Sequence, residues 1–388
     1  MTYNRSRRLF LGGTVAATAL GASGLVSTAA NGADSLVNNV IYGPKPGVAK
    51  LNANENPFGP SPLALKAIAK ASAEGGAYYA YPAAMTLLDM IAERHSIKRE
   101  NISLSAGSSP ILSYAALAAS HKGKILGPDL FWDTTSKAPE KQGAPEIVRV
   151  PNTPDLDIDL DAMYAALDES VGMVHICNPN NPTGKILDPE KLKAFCIKAS
   201  KKALVLVDEA YNELIDEPPK HSMIPLVKAG HNVIVARTFS KIYGLAGMRV
   251  GYLIASEENT QWINQYGMGG YTLNQAGLAA AIASYNDDAF LTFSKEKIDE
   301  AKAMVMAAVQ ANGLTALPSS TNFIFVNLGD GNAEYFRQAM AEKDVLIRGV
   351  YRTYTNWSRV SMGKIADVQR YVDAMPYALE KMSTLQKT

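Results

Sequence analysis

Two segments constrain this chain more than any others. Ala203-Leu204-Val205-Leu206-Val207 runs straight into Asp208-Glu209-Ala210-Tyr211, and Asn232-Val233-Ile234-Val235-Ala236 runs into Arg237-Thr238-Phe239-Ser240-Lys241. Each apolar run is short and β-branched, with no polar residue alternating along it. That pattern suits a strand covered on both faces, as in a parallel sheet between two layers of helix. Weaker runs of the same kind lie at 101–105, 123–127, 146–150, 172–176 and 250–254, separated by helix-length amphipathic stretches such as 189–200. Short apolar runs alternating with helices predict βαβ units. After about residue 290 the texture changes to a long charged helix over 294–312, a strand at 322–326, a helix near 333–343, a strand near 358–362 and a final helix.

The expected fold is therefore α/β. A three-layer large domain with a mostly parallel sheet spans 76–289, and a smaller α+β domain at 290–388 is shared with an N-terminal segment, 34–75, so that both chain ends build it. The 388 residues are 47 % hydrophobic, enough for a sizeable core. Charge is balanced at +1, with no basic stripe for nucleic acid. Two cysteines, Cys177 and Cys196, allow one bridge at most and no thiolate metal cage, so no metal site is expected.

The first 33 residues read differently. Asn4-Arg5-Ser6-Arg7-Arg8-Leu9-Phe10-Leu11 leads into a charge-free run to Val26 and then small residues from Ser27 to Ala33. Glycines at 12, 13, 21 and 24 make this a poor permanent anchor. The string resembles a twin-arginine export signal, an address and not an anchor. The expectation is an exported, periplasmic protein whose mature chain starts near residue 31–34.

In doubly wound sheets, ligands sit at the carboxyl ends of the strands. Singly, the residues there have ordinary uses: Asp208 as a helix N-cap, Lys241 as a surface lysine, Asn178–Gly184 as a turn. Together they suit one ligand, pyridoxal 5′-phosphate. Its chemistry needs a lysine amine for a Schiff base and an acid against the pyridine nitrogen, the roles of Lys241 and Asp208. Gly107, Ser108 and Ser109, entering a helix near Pro110, can offer amides to the phosphate. Thr238 and Ser240 add hydroxyls, and Arg249 a guanidinium. Asn181 and Tyr211 can hydrogen-bond the ring oxygen, and Phe131-Trp132 offers an aromatic to lie on the ring.

These motifs, from Leu51-Asn52-Ala53-Asn54-Glu55-Asn56-Pro57 to Ser358-Arg359-Val360-Ser361, resemble the class I/II aminotransferases of pyridoxal-phosphate fold type I, most of all the histidinol-phosphate aminotransferase branch. The resemblance implies reversible ping-pong transfer of an amino group from an amino acid to a 2-oxo acid, with Lys241, Asp208 and Tyr211 as catalytic residues. It implies that Arg359, with Asn181, grips the substrate α-carboxylate. It places Trp132 on the ring, with Phe131 as the alternative. It also implies a homodimer in which Tyr81 reaches the phosphate of the neighbouring subunit's cofactor. Two departures point away from histidinol phosphate itself: Gly107-Ser108-Ser109-Pro110 lacks the branch's acidic residues, and Arg348-Gly349 stands where Arg-Pro is common. Other reactions of the same cofactor, such as decarboxylation, β-elimination and racemisation, share these motifs. A non-catalytic periplasmic binding protein that kept the pocket is a further alternative. Tyr42, Phe58, Tyr351, Tyr354 and Trp357 are candidates for an apolar side-chain pocket.

Overall fold

A computed structural model describes residues 43–74 and 80–387. The first 33 residues, read above as an export signal, and Tyr42 lie outside the described residues.

The two founding segments are neighbours in the centre of a seven-stranded sheet. Its strands are β2 (Ile102–Ser105), β3 (Lys124–Pro128), β4 (Val148–Val150), β5 (Val171–Cys177), β6 (Leu204–Asp208), β7 (Val233–Thr238) and β8 (Gly251–Ile254), following the short β1 (Ala49–Lys50). They lie in the order β2-β8-β7-β6-β5-β3-β4, with β8 alone antiparallel to both of its neighbours. The mostly parallel sheet expected from the apolar runs is present.

Every residue of β5, β6 and β7 is buried, and the pleat divides their side chains between two cores. Val205, Val207, Val233 and Val235 join one core with Leu192 and Phe195 of the 189–199 helix. Leu204, Leu206, Ile234 and Ala236 join the other, with Ile111, Leu112 and Ala115 of the 108–120 helix. Period-two alternation into two helical layers is why the runs 204–207 and 233–236 are apolar on both faces. Burying each such aliphatic side chain is worth about 1.5–3 kcal/mol.

Beyond the large sheet, β10 (Phe323–Asn327) pairs antiparallel with β9 (Thr315–Ala316) and β12 (Trp357–Ser361). The two-residue β1 pairs parallel with β11 (Val345–Leu346). From Gly47 onward the chain packs as one compact unit.

Helix ends follow local chemistry. Ser61, Asp188, Asn274 and Asp287 each cap a helix with a side-chain oxygen. Asp287 starts the long helix at Asp288, six residues ahead of its expected start. The helix expected at Pro110 begins instead at Ser108, because Gly107 turns the chain at φ 87°. Pro110 then sits in the first turn, where a missing N–H costs nothing. Both serines are thereby drawn into the helix start.

Candidate active site

The carboxyl ends of β2, β3, β5, β6 and β7 open onto one cleft of about 1090 Å³. Ser108, Ser109, Trp132, Asn181, Asp208, Tyr211, Thr238, Ser240, Lys241, Arg249 and Arg359 all line it. Gly107 and Tyr81 are not among the lining residues. Gly107 sits behind the Arg249 guanidinium, which donates 3.0 Å to the Ala106 carbonyl. Tyr81 is the first residue of the 81–95 helix and is 56 % exposed.

Asp208 ends β6, buried, and accepts a hydrogen bond from the Ala210 amide at 3.2 Å. No α-helix follows; a 3₁₀ turn at Asn212–Leu214 does, so the N-cap reading of Asp208 fails. Burial pushes its carboxyl up to about 6, against a partial pull downward from the Ala210 amide and Lys241. Lys241, three residues past β7, donates 3.2 Å to the Asn54 carbonyl. Burial, and next Arg359, lower its amine to about 8. The environment thus disfavours charge on both groups, a pattern that marks functional sites.

Around Arg249 the sequence packs hydroxyls tightly. Thr238 and Ser240 hydroxyls lie 2.9 Å apart, and Arg249 Nη1 reaches Ser240 Oγ at 3.5 Å and the Ala246 carbonyl at 2.7 Å. A guanidinium, two hydroxyls and the start of the 108–120 helix form a donor cluster suited to a phosphate.

Arg359 on β12 also lines the cleft and is 4 % exposed. Its Nη1 donates 2.7 Å to Asn181 Oδ1 and its Nη2 3.3 Å to the Asn52 carbonyl, while Nε has no partner. Phe323 and Tyr351 rings lie 5.1 and 5.6 Å from the guanidinium carbon. No carboxylate among the described residues pairs with it. A buried fork held by neutral acceptors is prepared for an incoming carboxylate.

The Asn178–Gly184 turn divides its labour. Asn178 Oδ1 accepts from the Leu187 amide, and Asn180 donates to the Leu130 carbonyl and the Thr183 hydroxyl. These two build the turn, and Asn181 is the one that reaches Arg359. Of the aromatic pair, both line the cleft; Phe131 is also packed in the second core, edge-on to His175 at 5.1 Å, and Trp132 is half-buried. Of the candidates for an apolar side-chain pocket, Tyr351 lines the cleft. Trp357 stacks on Phe325 and Tyr354 packs with them in a small separate core, whereas Phe58 meets Phe293 edge-on. Cys177 and Cys196 are both free and buried.

Asn52, Asn54, Ala210, Cys177 and Arg348, to which the sequence reading gave no place in the site, also line the cleft. The signal for Asn54 was the asparagine-rich stretch itself, since three asparagines in five residues exceed what a turn needs.

The donor set fits pyridoxal phosphate. Asp208 is a buried acid with no cationic ion-pair partner among the described residues, as a pyridinium requires. Ala210 and Trp132 both line the cleft, a small residue and an aromatic for the two faces of a flat ring. This is the site of an enzyme that uses pyridoxal 5′-phosphate.

The comparisons agree. Residues 46–375 match the aminotransferase class I and II family. A histidinol-phosphate aminotransferase of Moorella thermoacetica is 34 % identical over 337 residues, covering 84 % of each chain. One from Cupriavidus pinatubonensis is 34 % identical over 338 residues, covering 86 % of this chain and 89 % of its own. The structure of histidinol-phosphate aminotransferase from Sinorhizobium meliloti in complex with pyridoxal-5′-phosphate superposes with a TM-score of 0.77 at 27 % identity, covering 89 % of this chain and 96 % of its own. The chain belongs to the aminotransferase class I and II family and is a pyridoxal-phosphate-dependent aminotransferase.

Proposed function

We propose that this enzyme moves an amino group between an amino acid and a 2-oxo acid, with Lys241 as the amine that holds the cofactor and then works as base. When bound, the cofactor supplies an electron sink for the bond broken at the substrate Cα. Asp208 holds a proton against the ring nitrogen, and Asn181 and Tyr211 donate to the ring oxygen. Arg249, Thr238, Ser240, Ser108, Ser109 and the amide that follows Gly107 hold the phosphate. Trp132 covers one ring face. Lys241 Nζ, with its proton affinity lowered toward neutrality, takes the Cα proton. Arg359 fixes the α-carboxylate so that the Cα–H bond stays within reach of that amine.

The observation that carries this reading is the buried Arg359 fork, which has no carboxylate of its own among the described residues. A second reading is favoured by Arg348, bridged to Arg359 backbone to backbone and lining the same cleft. Arg348 also has no ion pair among the described residues. Two adjacent guanidiniums suit the phosphate of histidinol phosphate, the substrate in the relatives' names. Adding single amino acids or histidinol phosphate to the holoenzyme, and following the cofactor's visible spectrum, tests the two readings. Response to carboxylate-bearing amino acids supports the first, and response to histidinol phosphate with amino acids as second substrates supports the other.

We infer further that the enzyme works as a homodimer, with Tyr81 reaching the partner's site. Exposed Leu63, Leu65 and Met85, on the first two described helices, support a covered face there. Sedimentation at micromolar concentration tests it. Export as a folded holoprotein through the Arg7-Arg8 signal is the reading of the leader. Replacing both arginines with lysines abolishes export on this account. No helix among the described residues is long and apolar enough to cross a membrane.

A further inference from the structure

We propose that Asn54 is a positioning residue for the cofactor linkage, its amide aiming the Tyr211 hydroxyl proton into the cleft while its main-chain carbonyl holds Lys241. The inference rests on the cofactor reading above.

Asn54 is buried in the segment after β1, far in sequence from the residues it serves. Its Nδ2 donates 2.9 Å to Tyr211 Oη, and its carbonyl oxygen accepts from Lys241 Nζ at 3.2 Å. Its Oδ1 accepts 2.6 Å from Ser361 Oγ, at the end of β12 and two residues past Arg359. One residue therefore touches the cofactor lysine, the ring-oxygen tyrosine and the strand that carries the substrate arginine.

The hydrogen-bond inventory gives the arrangement a direction. A phenol has one proton and can accept from others. Ser361 donates to the Asn54 oxygen, which leaves the Asn54 nitrogen to face Tyr211. With Asn54 donating to it, Tyr211 Oη must send its own proton elsewhere. Among the described residues no acceptor takes that proton, although Tyr211 is only 3 % exposed and lines the cleft. A buried donor without a protein acceptor is costly unless a ligand completes it. The cofactor's ring oxygen is the acceptor this geometry implies. A donor to that oxygen stabilises its anionic form and so lowers the pKa of the conjugated nitrogen linked to Lys241. Polarisation along the Asn54–Tyr211 chain strengthens that donor.

The test is a pH titration of the holoenzyme's visible absorption, with Asn54→Ala, Tyr211→Phe and the double variant alongside wild type. Asn54→Ala is expected to raise the spectral pKa by about one unit. The double variant is expected to titrate no higher than Tyr211→Phe alone, because Asn54 acts through the phenol. Ser361→Ala, which removes only the anchor of the Asn54 amide, should shift the same way by less and covers the case in which Asn54→Ala folds poorly. A purely structural role would lower the melting temperature of the cofactor-free protein and leave the spectral pKa where it is. An unshifted pKa in both Asn54→Ala and Ser361→Ala, or additive shifts in the double variant, overturns the inference while leaving the cofactor reading intact. A wild-type protein with no pH-dependent visible band overturns both.

Discussion

Arg249 and Gly107 occupy one space: the guanidinium of Arg249 lies where a β-carbon on Gly107 would stand. A φ of 87° favours glycine at this position, and a β-carbon there would oblige the guanidinium to shift. The place of the Arg249 guanidinium in the cleft thus depends on a residue with no side chain.

Gly107→Ala should therefore weaken cofactor binding, because the added methyl displaces the Arg249 guanidinium and strains the turn. The expected loss is about tenfold in Kd, or ~1.4 kcal/mol, read by titrating the cofactor-free protein. Arg249→Ala should weaken it at least as much. An unchanged Kd in Gly107→Ala would show that the guanidinium can move aside freely.

Asp208 carries a stability cost in the cofactor-free protein, because its carboxyl is buried. Its folded pKa of about 6 lies above the ordinary 3.8, so the fold favours the neutral acid. The cost of ionising it is absent below pH 3.8, grows as pH rises toward 6, and is complete above that. Asp208→Asn should therefore raise the melting temperature of the cofactor-free protein at pH 8 and leave it nearly unchanged at pH 4. The same variant should lose activity by roughly 100- to 1,000-fold. A lower melting temperature at pH 8 would contradict this.

Arg359→Lys keeps the charge and loses the fork. The Asn181 and Asn52 contacts that hold the guanidinium cannot both be kept by an ammonium. We expect KM for the amino acid to rise by roughly 10- to 100-fold, with a smaller change in kcat, because the carboxylate is held before and during the reaction. Steady-state kinetics at fixed oxo-acid concentration reads the split.

Much of this site was legible because its chemistry sits at strand ends, and the strands are the most plainly written part of the chain. Valine-rich β6 and β7 led directly to Asp208 and Lys241, and the cleft brings the two together. Legibility was poorer where a contact links distant segments. Asn54 is 157 residues from Tyr211 and 307 from Ser361, and no local pattern announces such a meeting. The start of the 108–120 helix was misplaced for a related reason. Pro110 is a common first helical residue, and the positive φ of Gly107 that moves the boundary back is a backbone angle that no residue periodicity records. Among the aromatics, tertiary packing decided the outcome: Trp357 and Tyr354 found partners in Phe325 and its neighbours, which periodicity alone does not reveal.

The most direct test of the central claim is the half-reaction. Holoenzyme mixed with a reactive amino acid and no oxo acid should release one equivalent of 2-oxo acid per site and leave its cofactor as pyridoxamine phosphate. The Lys241→Ala variant should do neither at a comparable rate. Adding a second oxo acid should restore the starting spectrum, as ping-pong transfer demands. Release of carbon dioxide or ammonia in place of an oxo acid, or equal turnover by Lys241→Ala, would contradict the account.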